Sequence, residues 1–136
     1  MYIIIAGMSR LGRELALSLA DRGHDVVVID QDEETFAGLG SGFNGVTVSG
    51  LPFDEEVLQQ AGIDRADAVA AVTGDDNVNV MVSQIAKKLY AIPHVLTRIS
   101  EMEKVETFQK MGFDVICPTA VAASSAETIL TGGAVA

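Results

Sequence analysis

Short apolar runs recur along this chain with helical patterns between them, and that alternation leaves few folds open. Tyr2-Ile3-Ile4-Ile5-Ala6 ends at Gly7, and Val26-Val27-Val28-Ile29 ends at Asp30. Val46-Thr47-Val48 is a weaker third run, and Ala68-Val69-Ala70-Ala71-Val72 ends at Thr73. Val95-Leu96-Thr97 leads into Arg98-Ile99, and Val115-Ile116-Cys117 is stopped by Pro118. Apolar runs without alternation suit strands covered on both faces, as in a parallel sheet. Between them Leu11, Leu15 and Leu19 stand four residues apart, Val78, Val82, Ile85 and Leu89 share one helical face, and Met102, Val105, Phe108 and Met111 repeat every three residues. Gly23 and Gly112 fall where helix ends are expected. The order predicts an α/β domain: doubly wound, with a mainly parallel six-stranded sheet, right-handed crossovers and helices on both faces.

The chain has 136 residues, about the size of one domain. We expect that domain over residues 1–130 and a flexible tail over 131–136. Nine basic against nineteen acidic side chains leave a net charge of −10. A nucleic-acid binder needs a basic surface to neutralise phosphates, and anionic lipid needs the same, so neither partner is expected. One cysteine, Cys117, excludes an internal disulfide and a multi-cysteine zinc site. There is no apolar run of about 18 residues that would insert in a membrane, and the first apolar run is too short and lacks the basic flank of a signal peptide. A cytoplasmic protein is expected.

The chemistry concentrates after the first run. Gly7-Met8-Ser9-Arg10-Leu11-Gly12 is a G-x-G-x-x-G fingerprint with Ser9 in place of the middle glycine. The first glycine permits the tight turn, the last lets helix and strand pack closely, and the helix N-terminus offers N–H groups to a phosphate. Asp30 ends the second strand, where a carboxylate bonds ribose hydroxyls and repels a 2′-phosphate. Together these point to a Rossmann-type site for a dinucleotide or an adenine nucleotide, with NADP disfavoured. The plain structural alternative is a tight turn at Gly7 and Gly12 with Asp30 capping the next helix. The Ser9 hydroxyl either donates to a phosphate or marks weakened binding. Ligands in such sheets sit beyond the carboxyl ends of the strands. Here those ends carry Gly7, Asp30, Ser49-Gly50-Leu51, Thr73-Gly74 and Arg98. Arg98 either faces phosphate or pairs with Glu101 or Glu103, and Arg10 either reaches a terminal phosphate or is solvated.

These stretches, with Ala66-Asp67 through Val72-Thr73-Gly74-Asp75-Asp76-Asn77-Val78-Asn79, then Thr97-Arg98-Ile99-Ser100 and Met111-Gly112-Phe113-Asp114, resemble the nucleotide-binding domain of the Trk/Ktr and RCK regulators of potassium transport. The likeness runs collinearly over residues 1 to about 130. It implies a regulatory domain that binds NAD(H), ATP or ADP as an effector without reacting it. It also implies pairing into a homodimer or higher ring and docking on a membrane potassium transporter or channel subunit at the inner face of the membrane. Carried over by position, Gly7, Ser9 and Gly12 form the phosphate loop, with Met8, Arg10 and Leu11 between them. Asp30 holds the ribose beside Gln31. Gly50, Leu51 and Thr73 flank the base, with Gly74 and Asn77 following. Arg98 faces the phosphates. Two departures, Ser9 for glycine and Leu51 for an acidic residue, lie in the crevice.

Enzyme readings find less support. A hydride-transfer enzyme needs a substrate region and a positioned acid or base. The Tyr-x-x-x-Lys pair of short-chain dehydrogenases is absent, since Tyr90 is followed by His94 at the fourth position. His24 reads as a loop residue, His94 as a strand start, and Cys117 as a small buried hydrophobe. Asp75-Asp76, Asp32-Glu33-Glu34 and Asp54-Glu55-Glu56 read as acids at helix N-termini rather than metal sites. A methyltransferase would carry a polar-Pro-Pro-aromatic motif where this chain has Thr73-Gly74-Asp75-Asp76. An oxidoreductase cofactor domain and a scaffold without nucleotide remain the alternatives.

Overall fold

The computed structural model describes residues 1–133, so residues 134–136 of the expected tail lie outside the described residues. Six strands form one sheet: β1 (Tyr2–Ala6), β2 (Asp25–Asp30), β3 (Val46–Ser49), β4 (Ala68–Ala71), β5 (His94–Arg98) and β6 (Asp114–Ile116). Their order is β3-β2-β1-β4-β5-β6, and every pairing is parallel. The chain moves outward from β1 to β3, then returns to the far side of β1 and moves outward again. The reversal lies between β1 and β4, so their carboxyl ends open a crevice there.

Side chains alternate across the sheet, and both faces are filled. Ile4, Ala6, Val27, Ile29, Val69 and Ala71 pack with Leu58 of α2 (Glu55–Gln60) and with Val82 of α3 (Asp76–Gln84). Ile3, Ile5, Val26 and Val28 pack on the other side with Ala16, Leu11, Leu15 and Leu19 of α1 (Arg10–Asp21). This is the doubly wound Rossmann-type sandwich that the apolar runs predict. Gly23 ends α1 and Gly112 ends α4 (Val105–Lys110), with φ of 88° and 93°, the left-handed geometry expected of them.

Two helical readings need correction. α3 runs into a wide π turn over Ile85–Leu89, which holds one residue more than an α turn. The extra residue rotates Leu89 off the face it was expected to share, and it is 65% exposed. Ala86 and Tyr90 take the inward positions, and the Tyr90 hydroxyl donates to Glu55 at 2.8 Å. Likewise Met102 precedes α4, in a short 3-10 turn over Met102–Lys104, and both Met102 and Met111 are exposed. The inward anchor there is Phe113, which the three-residue spacing did not include. The last helix, α5 (Pro118–Leu130), has no buried residue, and Ile129 and Leu130 are 75% and 84% exposed.

The closest packing is at Gly12. A Cβ there would fall on the Gly7 carbonyl oxygen, whereas a Cβ on Gly42 would meet nothing. Gly12→Ala is therefore expected to cost roughly 3 kcal/mol or more, a fall in Tm of about 10 °C, with Gly42→Ala nearly neutral. Equal melting temperatures for the two variants would contradict this packing.

Candidate functional site

The first turn after β1 shapes the site. Gly7 has φ of 113°, and a Cβ on it would lie 2.7 Å from both the nitrogen and the Cα of Thr73. Only glycine fits there. The chain then enters α1 through Ser9, whose side chain caps the helix. Its hydroxyl accepts from the Gly12 N–H at 3.1 Å and donates to the Val72 carbonyl at 2.6 Å. The hydroxyl's single hydrogen is thus committed to the residue just after β4. Ser9 acts as a staple between α1 and the end of β4, which the sequence did not reveal.

Asp30 is fixed from two sides. One carboxylate oxygen accepts from the Met8 N–H at 2.8 Å, and the other accepts from the Asp32 N–H at 2.8 Å. Asp32, rather than Asp30, caps the turn that follows β2, by accepting from Glu34 N–H. An ionised carboxylate has about four acceptor positions. Two are taken by backbone, so Asp30 keeps acceptor capacity on the crevice side while its position is locked to the glycine loop.

Beyond these residues lies a cleft of about 500 Å³, within the usual range for small-molecule sites. Of the residues singled out in the sequence, Gly7, Met8, Ser9, Asp30, Gln31, Leu51, Thr73 and Gly74 line it. Pro52, Phe53, Asp75 and Val78 line it too and were not anticipated. Leu51, Pro52, Phe53 and Val78 give it an apolar side, and Asp75 is occupied in capping α3 through the Asn77 and Val78 N–H groups. Asp75 is thereby a helix cap, as its place in the sequence suggested.

The remaining candidates stand outside the wall. Gly12 is packed beneath the loop, and Gly50 lies against Val57. Leu11 packs toward the core, and Asn77 is exposed on α3. Arg10 is exposed at the first position of α1 and has no ion pair among the described residues. Arg98 is half-buried behind Thr73, and its Nη1 donates to the Thr73 carbonyl at 2.9 Å. It does not pair with Glu101, which bonds Lys104 at 2.8 Å instead. No group of three or more metal-ligating side chains occurs among the described residues, and no described helix is long and apolar enough to cross a membrane.

A parallel sheet in this strand order, with a glycine loop and a fixed acid flanking a cleft at the switch point, defines a Rossmann-type domain of the nucleotide-binding kind. The sequence matches the TrkA-N domain over residues 3–119, and the chain belongs to that family. It is 39% identical over 116 residues to the Trk system potassium uptake protein TrkA of Streptomyces coelicolor, covering 85% of this chain and 52% of that one. It is 36% identical over 132 residues to a TrkA homolog of Methanothermobacter thermautotrophicus, covering 96% and 61%. The chain thus spans a little over half the length of these relatives. Among solved structures, the GsuK RCK domain superposes with a TM-score of 0.81 at 26% identity, covering 96% of this chain and 28% of that one. The GsuK channel bound to NAD, at 23% identity, shares the fold with a TM-score of 0.71, covering 85% and 21%. GsuK bound to ADP, also at 23% identity, does so with a TM-score of 0.74, covering 88% and 32%.

The committed Ser9 hydroxyl yields a test. Ser9→Ala removes a helix cap and leaves the Val72 carbonyl unbonded, at an expected cost of about 1–2 kcal/mol. A denaturant melt should show a lower midpoint with an unchanged slope. An unchanged midpoint would mean that the hydroxyl does not hold α1 to β4.

Proposed function

We propose that residues 1–130 form a nucleotide-sensing regulatory domain of a potassium transport system. Its effector is NAD(H) or ATP/ADP, bound across the carboxyl ends of the strands and not reacted. The observation that carries this reading is the double clamp on Asp30, which joins the ribose-binding position to the glycine loop on the wall of a cleft of nucleotide size. Support comes from RCK structures of this fold that hold NAD or ADP, and from relatives named as potassium uptake proteins.

Each part of the ligand has a matching wall. Phosphate meets the N-terminus of α1, where the Arg10 and Leu11 N–H groups precede the first intrahelical bonds. The ribose hydroxyls donate to the remaining lone pairs of Asp30. The base lies against Leu51, Pro52, Phe53 and Val78. Arg98 and Arg10 supply positive charge toward the outer phosphates, which matters in a chain of net charge −10. A 2′-phosphate would face the Asp30 carboxylate, which disfavours NADP.

Regulation requires that the nucleotide bind two assembly states unequally, since equal affinity shifts nothing. The assembly is a homodimer or higher ring on the cytoplasmic side of a membrane transporter or channel subunit. α5, with Val121, Ile129 and Leu130 exposed, supplies apolar surface for contact with a second copy.

The test is a thermal-shift panel of NAD, NADH, NADP, ATP, ADP and AMP on the wild-type chain and on Asp30→Ala. A ligand at 100 times its Kd stabilises by about 2.7 kcal/mol. NAD(H) or ATP/ADP should raise Tm by several degrees, NADP should not, and Asp30→Ala should lose the shift. A panel in which no nucleotide shifts the wild-type chain would overturn the reading in favour of an assembly scaffold. A shift with NADP equal to that with NAD would remove Asp30 from the ribose.

A further inference from the structure

Asn79 is fully buried, and burial of a polar side chain is costly unless every group is bonded. All four of its bonding positions are used. Its Oδ1 accepts from the Thr73 N–H at 2.8 Å and from the Thr73 hydroxyl at 2.7 Å. Its Nδ2 donates to the Thr73 carbonyl at 3.1 Å and to the Arg98 carbonyl at 3.0 Å. An amide has two donors and two acceptor lone pairs, so the residue is saturated, and no other side chain of its size offers both halves. The Thr73 carbonyl also accepts from Arg98 Nη1. Thr73, Asn79 and Arg98 therefore form one closed knot across the ends of β4 and β5. On its other side Thr73 presses its backbone against Gly7.

The geometry points to Asn79 as a positioning residue. It does not itself line the cleft, but it bonds Thr73, which does, and so it fixes both the backbone that backs the glycine loop and the arginine proposed to meet phosphate charge. We propose that Asn79 sets how strongly the site discriminates between nucleotides by their number of phosphates. This inference rests on the nucleotide reading above.

The fold supplies its own control. One turn earlier on α3, the Asp76 carboxylate accepts from the Ser100 N–H at 2.9 Å and from the Ser100 hydroxyl at 2.9 Å. That clamp ties the same helix to Ser100, two residues beyond the end of β5, without touching Thr73 or the Arg98 guanidinium. A loss of general rigidity would follow from either variant, whereas a loss of phosphate discrimination should follow only from changes at Asn79.

The experiment measures the Kd values of ATP, ADP and AMP by calorimetry for the wild-type chain, Asn79→Asp, Asn79→Ser and Asp76→Asn. Asn79→Asp keeps the shape and removes both donors. The wild-type chain should favour ATP or ADP over AMP. Both Asn79 variants should cut that ratio by about fivefold or more, while Asp76→Asn leaves it unchanged. An unchanged ratio in a folded Asn79 variant, an equal fall in Asp76→Asn, or a wild-type ratio near one would overturn the proposal with nucleotide binding intact. Failure of both Asn79 variants to fold would make the residue purely structural and overturn it equally. A wild-type chain that binds none of the three would overturn this inference, and the nucleotide reading would fall with it only if NAD and NADH also fail to bind in the same calorimetry.

Discussion

At the centre of the sheet three stretches of backbone meet with no side chain between them. Gly12 in α1 lies against the Gly7 carbonyl, and Gly7 lies against Thr73 at the end of β4. Glycine alone allows this approach. Because α1 can come so close, its N-terminus points along the crevice between β1 and β4 instead of being held away from it. The positions of Ser9, Asp30 and Thr73 follow from that contact. Ser9 reaches Val72, Asp30 reaches the Met8 N–H, and Thr73 becomes the wall behind the loop.

For a chain of net charge −10 the proposed binding of phosphate poses an electrostatic problem. Two carboxylates, Asp30 and Asp75, line the cleft. Both accept backbone N–H groups, which spreads their charge into neighbouring peptide dipoles. The N-terminus of α1 contributes positive potential without any basic side chain. Arg98 stands close by, with its guanidinium anchored to Thr73 and, among the described residues, free of any carboxylate within salt-bridge distance. The site therefore needs few cations, which fits a chain with only nine.

Most of the fold was legible in the sequence because buried parallel strands leave uninterrupted apolar runs. All six expected runs are strands, and the glycine loop and Asp30 stand at the carboxyl ends as their spacing requires. The misses have physical causes. Helical periodicity assumes a constant turn, so the π turn at Ile85–Leu89 carried Leu89 outward unseen. From sequence, the Ser9 hydroxyl either donates to a phosphate or marks weakened binding, since nothing local shows that it meets a carbonyl 63 residues away. Pro52 and Phe53 follow a strand end and could have been marked from that position. The bonds of Asn79 join segments separated by 6 and 19 residues, and a motif reading names such a residue without giving its partners.

The central claim is that nucleotide binds at the carboxyl ends of the strands, between the glycine loop and Asp30. An amide NMR titration of the wild-type chain with ADP and with NAD reads this directly, because Met8, Ser9, Gln31 and Thr73 all line the cleft proposed to hold the ligand. The account predicts saturable shifts concentrated on those four amides, with His94 and Asp114 at the opposite ends of their strands unmoved. Shifts confined to the opposite end of the sheet, or none at either end with either nucleotide, would contradict it.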